Sequence, residues 1–74
     1  MKVLFGEVVW FNSDKRFGFI VSDNQQYFAH GNEIKTGQDR LVKGQQVEFR
    51  VQANPKGPQA RDIFVKEADG NALP

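Results

Sequence analysis

Apolar residues recur with a period near two along most of this chain, and no stretch carries the 3.6-residue stripe of an amphipathic helix. The pattern predicts short strands. The first runs from about Phe5 to Asn12, where Asn12-Ser13-Asp14-Lys15 supplies turn chemistry, and the second from about Phe17 to Ser22. The polar segment Asp23-Asn24-Gln25-Gln26 leads into a third strand, Tyr27 to His30, making the two an antiparallel hairpin. Gly31 to Gly44 is polar and reads as a long loop with one helical turn, anchored by Ile34, Leu41 and Val42. The cleanest alternation is Gln46 to Gln52, with Val47, Phe49 and Val51 on one face and Gln46, Glu48, Arg50 and Gln52 on the other. The prolines of Asn54-Pro55-Lys56-Gly57-Pro58 remove ladder donors and make that segment a loop. Ala60 to Lys66 follows as a fifth strand, and Glu67 to Pro74 as a frayed tail.

Five short strands with a long connection after the third predict an all-β fold, a five-stranded antiparallel Greek-key barrel of the oligonucleotide/oligosaccharide-binding type. It should occupy residues 1–66, with 67–74 as a flexible tail. Ile20, Ala29, Val47, Phe49, Val51 and Ile63 form the expected interior.

Composition sharpens this picture. A 74-residue chain buries only roughly 60% of its unfolded surface, so it has few apolar groups to leave in solvent. The seven phenylalanines are therefore informative wherever the alternation turns them outward. Cysteine is absent, so neither a disulfide framework nor a thiolate metal site supports the fold. The apolar start Met1 to Gly6 is broken by Glu7, far short of a signal core or membrane span, and a soluble, cytoplasmic protein is expected. A formal net charge of +1 does not suggest a strongly electrostatic polyanion binder, so such a site must rely on local clustering and stacking.

The alternation puts Phe17 and Phe19 on one face of the second strand, with Gly18 and Ile20 opposed, and Phe28 and His30 on one face of the third. Pairing the strands brings four flat rings together. Every base has a π-face, and stacking on an aromatic side chain contributes roughly 1 to 3 kcal/mol per base with little sequence preference. The competing assignment of these rings to the core is weakened because His30 is a poor core residue and the opposite set already fills an interior. Lys15 and Arg16 precede Phe17, and Lys56 sits in the Pro-bounded loop, where cations can track phosphates.

Val8-Val9-Trp10-Phe11-Asn12, Lys15-Arg16-Phe17-Gly18-Phe19-Ile20 and Tyr27-Phe28-Ala29-His30 closely resemble the first strand and the two ribonucleoprotein-type motifs of bacterial cold-shock proteins. Gly57-Pro58-Gln59-Ala60 resembles the signature leading into their last strand, and the likeness spans about Phe5 to Lys66. The resemblance implies a barrel binding single-stranded RNA or DNA, typically an RNA chaperone assisting transcription or translation in the cold. It adds Trp10 and Pro58 to the expected site, which becomes Trp10, Lys15, Arg16, Phe17, Phe19, Phe28, His30, Lys56 and Pro58.

The departures are specific. Val9 stands where the family usually has a lysine, and Arg16 where it usually has a glycine. If that slot needs φ > 0, arginine is strained there; otherwise it adds charge beside the face and compensates for Val9. Gly31 replaces a phenylalanine after the histidine, and the segment around Gln38 is one residue shorter and carries no ring. Two missing platforms, at roughly 1 to 3 kcal/mol each, imply affinity at least tenfold weaker than the usual member or a shorter footprint.

A second reading makes the reduced face a protein-interaction or dimerisation surface burying Trp10, Phe28 and Val9. A third is oligosaccharide binding on the same barrel type. A monomer is expected, with a homodimer as the alternative. An enzyme is not expected: His30 is the only histidine, and Asp14, Asp23, Glu33 and Asp39 read as solvated turn residues. No cofactor or metal is expected.

Overall fold

The computed structural model describes residues 3–66. Five strands appear in the predicted order: β1 (Val3–Asn12), β2 (Phe17–Ser22), β3 (Gln25–His30), β4 (Gln46–Gln52) and β5 (Gln59–Lys66). They close into a barrel of neighbour order β1-β2-β3-β5-β4. Closure gives every strand a neighbour on both sides, which an open five-stranded sheet could not do. Four of the pairings are antiparallel, as expected; the seam between β3 and β5 runs parallel, through the single pair Phe28 and Gln59.

β1 serves two partners. Its first half, Val3 to Glu7, pairs with β4, and its second half, Glu7 to Asn12, with β2. At the handover a side chain on Gly6 would lie 2.5 Å from the Val21 carbonyl oxygen and 2.8 Å from Ile20 Cγ2, so only glycine lets the strands approach. The strand begins two residues before its expected start at Phe5. Ser22, the buried polar side chain of the core, donates its hydroxyl to the Phe5 carbonyl at 2.7 Å.

The β2–β3 hairpin is tighter than the expected four-residue connection. Asp23 and Asn24 alone form the turn, with φ of 51° and 65°, while Gln25 and Gln26 join β3. Two consecutive left-handed residues give a twist that matches the flanking strands, and Asp and Asn tolerate that backbone better than most.

Ile20, Ala29, Val47, Phe49 and Ile63 are buried as expected, whereas Val51 is only partly so; Val8, Leu41, Ala60 and Val65 complete the interior. The connection from Gly31 contains the expected helical turn, a 3-10 turn at Gly31–Glu33. Of its three expected anchors Leu41 is buried and Ile34 bridges to Ile63, but Val42 is exposed. Val42 instead holds the loop through its backbone N–H, which donates to Gln45 Oε1 at 2.7 Å.

Glu33 departs from its expected role as a solvated turn residue. Its carboxylate lies 3.0 Å from Arg61 Nε and accepts from the Asp62 N–H at 3.3 Å. Burial pushes this carboxyl up, but the Arg61 and Asp62 hydrogen bonds and the charges of Arg61 and Lys35 outweigh it and hold the group below the usual glutamate range. Asp62 has φ 50° and sits where the β4–β5 register slips by one residue, so Glu33 braces a β-bulge. The expected tail, Glu67 to Pro74, lies outside the described residues.

Candidate nucleic-acid interface

The site begins with a second bulge. Val8 pairs with Ile20 and Trp10 with Phe19, leaving Val9 as an extra residue on β1. One inserted residue reverses the side-chain alternation beyond it. Val8 accordingly points into the core at 1% exposure, while Trp10 points outward at 41%.

β2 and β3 supply the other rings in register, Phe19 opposite Phe28 and Phe17 opposite His30. The inward Gly18 between the two phenylalanines faces the backbone of β1, where a Cβ would overlap the Trp10 carbonyl oxygen and the Phe11 Cα. This close approach brings Trp10 onto the two phenylalanines of β2.

The four rings form a closed circuit. Trp10 lies 5.4 Å from Phe17, edge-on at 74°, and 5.6 Å from Phe19; Phe28 lies 5.8 Å from Phe17, nearly parallel at 25°, and 5.9 Å from Phe19, again edge-on. Each ring is braced by two others in geometries that favour aromatic pairs, so the face is organised before any ligand arrives. His30 is fixed differently: its Nδ1 accepts the Asn32 N–H at 3.1 Å. In the neutral ring this places the proton on Nε2, which remains a donor for a ligand.

Beside Phe19 and Phe28 opens a cleft of about 670 Å³ whose far wall is the loop from Asn54 to Gln59, including Lys56 and Pro58. Gly57, at φ 129°, donates its N–H to the Asn54 carbonyl, and Asn54 Nδ2 donates to Gln59 Oε1 at 2.7 Å, which shapes that wall. The Pro58 carbonyl accepts from the Phe28 N–H and ties wall to platform. Gln26, Asn54 and Gln59 also line the cleft; the sequence marks Asn54 and Gln59 only by their place beside the Pro-Gly loop, and Gln26 by nothing.

The expected site thus divides. Trp10, Phe17, Phe19, Phe28 and His30 form one face, and Lys56 and Pro58 flank it. Lys15 is an exposed turn residue whose N–H is held by Asn12 Oδ1. Arg16 has φ 58°, so the slot does require left-handed backbone. Its Nη1 donates to the Asp39 carbonyl at 2.9 Å.

The 'Cold-shock' DNA-binding domain family model matches residues 4–66. The major cold shock protein of Streptococcus pyogenes serotype M1 is 48% identical over 60 residues, covering 78% of this chain and 90% of that protein. Cold shock protein CspV of Vibrio cholerae is 44% identical over 61 residues, 78% of this chain and 87% of that one. Major cold shock protein CspA of Bacillus cereus is 42% identical over 61 residues, with 80% and 91% coverage. The solved structure of Drosophila Unr CSD456 superposes with a TM-score of 0.73 at 22% identity, covering 96% of this chain and 29% of that one, and so shares its fold. Among the described residues no helix is long and apolar enough to cross a membrane.

Proposed function

Because this chain belongs to the cold-shock domain family, we propose that it is a nucleic-acid-binding module that takes single-stranded RNA or DNA by stacking bases on Trp10, Phe17, Phe19 and Phe28. The observation that carries this is the closed circuit of rings on the outer wall, opposite a core that is already filled without them. Hydrocarbon left outside the core of so small a barrel favours folding only weakly, whereas a base laid on it removes apolar surface from water on both partners. His30 offers an edge donor beside the stack, and Lys56 a cation for phosphates. Stacking tolerates every base, so weak sequence preference follows, which suits a cytoplasmic RNA chaperone or a regulator of transcription or translation. Binding, not catalysis, is the work of this face.

The test is titration of Trp10 fluorescence with short oligothymidylate and oligouridylate at two salt concentrations. Quenching with a saturable isotherm is expected, and Phe19→Ala and Phe28→Ala should each weaken binding by roughly 1 to 3 kcal/mol. A constitutive dimer in scattering, with Trp10 unresponsive to oligonucleotide, would instead assign the face to a protein contact.

A further inference from the structure

The two departures at Arg16 and Gly31 are in physical contact. A Cβ built on Gly31 would lie 2.8 Å from Arg16 Nη2, 3.0 Å from Cζ and 3.1 Å from Nε. A point in the guanidinium plane, outside its edge, would be clearly farther from the central carbon than from the two nitrogens. Near-equal distances place it above the plane instead, so the guanidinium lies face-down on Gly31. Any side chain at position 31 would displace it.

We propose that this guanidinium is a cationic stacking platform that takes one further base beyond Phe17 and His30, an assignment that rests on the single-strand reading given above. Position supports it. Phe17 and His30 form the last pair of the β2–β3 ladder, and the Gly31 N–H donates to the Arg16 carbonyl at 2.8 Å, making Arg16 and Gly31 the next rung past the rings. Order supports it as well, because the Nη1 bond to the Asp39 carbonyl pins the plane and lowers the entropy lost when a ligand lands on it.

The charge is also available. Asp39 offers its carbonyl, and among the described residues no carboxylate lies within ion-pair distance of Arg16. Arg16 is partly exposed, and with one guanidinium face covered by Gly31 a base would stack on the opposite one. A planar, weakly hydrated cation of this kind stacks on nucleobases as aromatic rings do. The arginine holds a left-handed backbone that glycine, and to a lesser degree Asn and Asp, adopt readily, a local cost consistent with a functional position. Gly31 is then the floor of a platform made by another residue.

Arg16→Gly is the decisive variant, since glycine accepts φ 58° and the fold should lose nothing. With oligothymidylates of increasing length, it should bind roughly three- to thirtyfold more weakly than the parent. Its affinity should plateau one nucleotide earlier, with little change in salt dependence. Arg16→Lys keeps the charge without the plane and should recover only a minor part of the loss. Unchanged affinity in Arg16→Gly overturns the platform, and if Phe28→Ala is weakened in the same series the ring face still stands. Full recovery by lysine, with a salt slope in Arg16→Gly shallower by about 0.7, would mean a point-charge contact to phosphate and would also overturn it. A parent that binds no oligonucleotide at any length removes both readings.

Discussion

Val8 and Trp10 stand two residues apart on one strand and yet lie on opposite sides of the barrel wall, because the bulge at Val9 reverses the alternation between them. Were Val9 paired regularly opposite Phe19, the tryptophan would fall opposite Gly18 and join Val8 inside, where a barrel already filled by Phe49, Ile20 and Ile63 has no room for it. The bulge thus converts what would be an overpacked core into one corner of the ring circuit.

The two residues should therefore separate stability from binding. Val8→Ala, at a site 1% exposed, should cost about 2 kcal/mol in urea unfolding by lost burial and a small cavity. It should leave oligonucleotide affinity unchanged wherever the protein remains folded. Trp10→Ala should have the opposite profile, with a stability loss below about 1 kcal/mol and an affinity loss of roughly 1 to 3 kcal/mol, read by a probe on the oligonucleotide.

Gly18→Ala should fail more severely than its single methyl suggests. The new Cβ would meet β1 backbone, at the Trp10 carbonyl and the Phe11 Cα, and backbone cannot rotate aside as a side chain can. A loss of about 3 kcal/mol or more is expected, at the upper end of overpacking effects, with heat capacity and near-ultraviolet dichroism reporting the damage. A thermal midpoint equal to the parent's would show that β1 and β2 are not held this closely.

Alternation in β4 and the pairing of β2 with β3 were legible in the sequence because each strand there keeps strict period two, with Val47 and Phe49 inward and Phe17, Phe19, Phe28 and His30 outward. The features that escaped are those that break the period. A bulge at Val9 has no residue signature, so alternation alone would have put Trp10 inside, and only the family resemblance brought it to the face. Asp62 likewise gives no warning that β5 slips register there. Nor could the sequence show that Arg16 and Gly31 touch, since their contact depends on a left-handed backbone and on Asp39, which reaches the site from a distant loop. Glu33 reads from the sequence as a solvated turn residue for the same reason: its partner Arg61 is remote in the chain.

The Glu33 contact predicts a pH dependence of defined sign. A carboxyl held below its usual range binds protons more weakly folded than unfolded, so it stabilises the fold fully above the unfolded glutamate value. That contribution disappears as pH falls through the lower, folded value. Glu33→Gln should therefore be less stable than the parent at neutral pH, and the difference in urea midpoints should shrink through the acid range. A difference that stays constant down to strongly acidic pH would mean that the carboxylate charge plays no part in bracing the Asp62 bulge.

The cleft between the rings and the Pro-bounded loop allows charge and stacking to be measured apart, because Phe28 lines one side and Lys56 the other. Lys56 is exposed and makes no ion pair with another described residue, so its ammonium is free to meet a phosphate. A phosphate contact releases a bound counterion, and Lys56→Gln should make the plot of log affinity against log salt shallower by about 0.7. Its effect should fade at high salt. Phe28→Ala removes a π-face and no charge, so its loss of roughly 1 to 3 kcal/mol should persist at every salt concentration with the slope unchanged. Parallel lines for Lys56→Gln and the parent would place the phosphate backbone elsewhere, and the cleft would then receive a base without its phosphate.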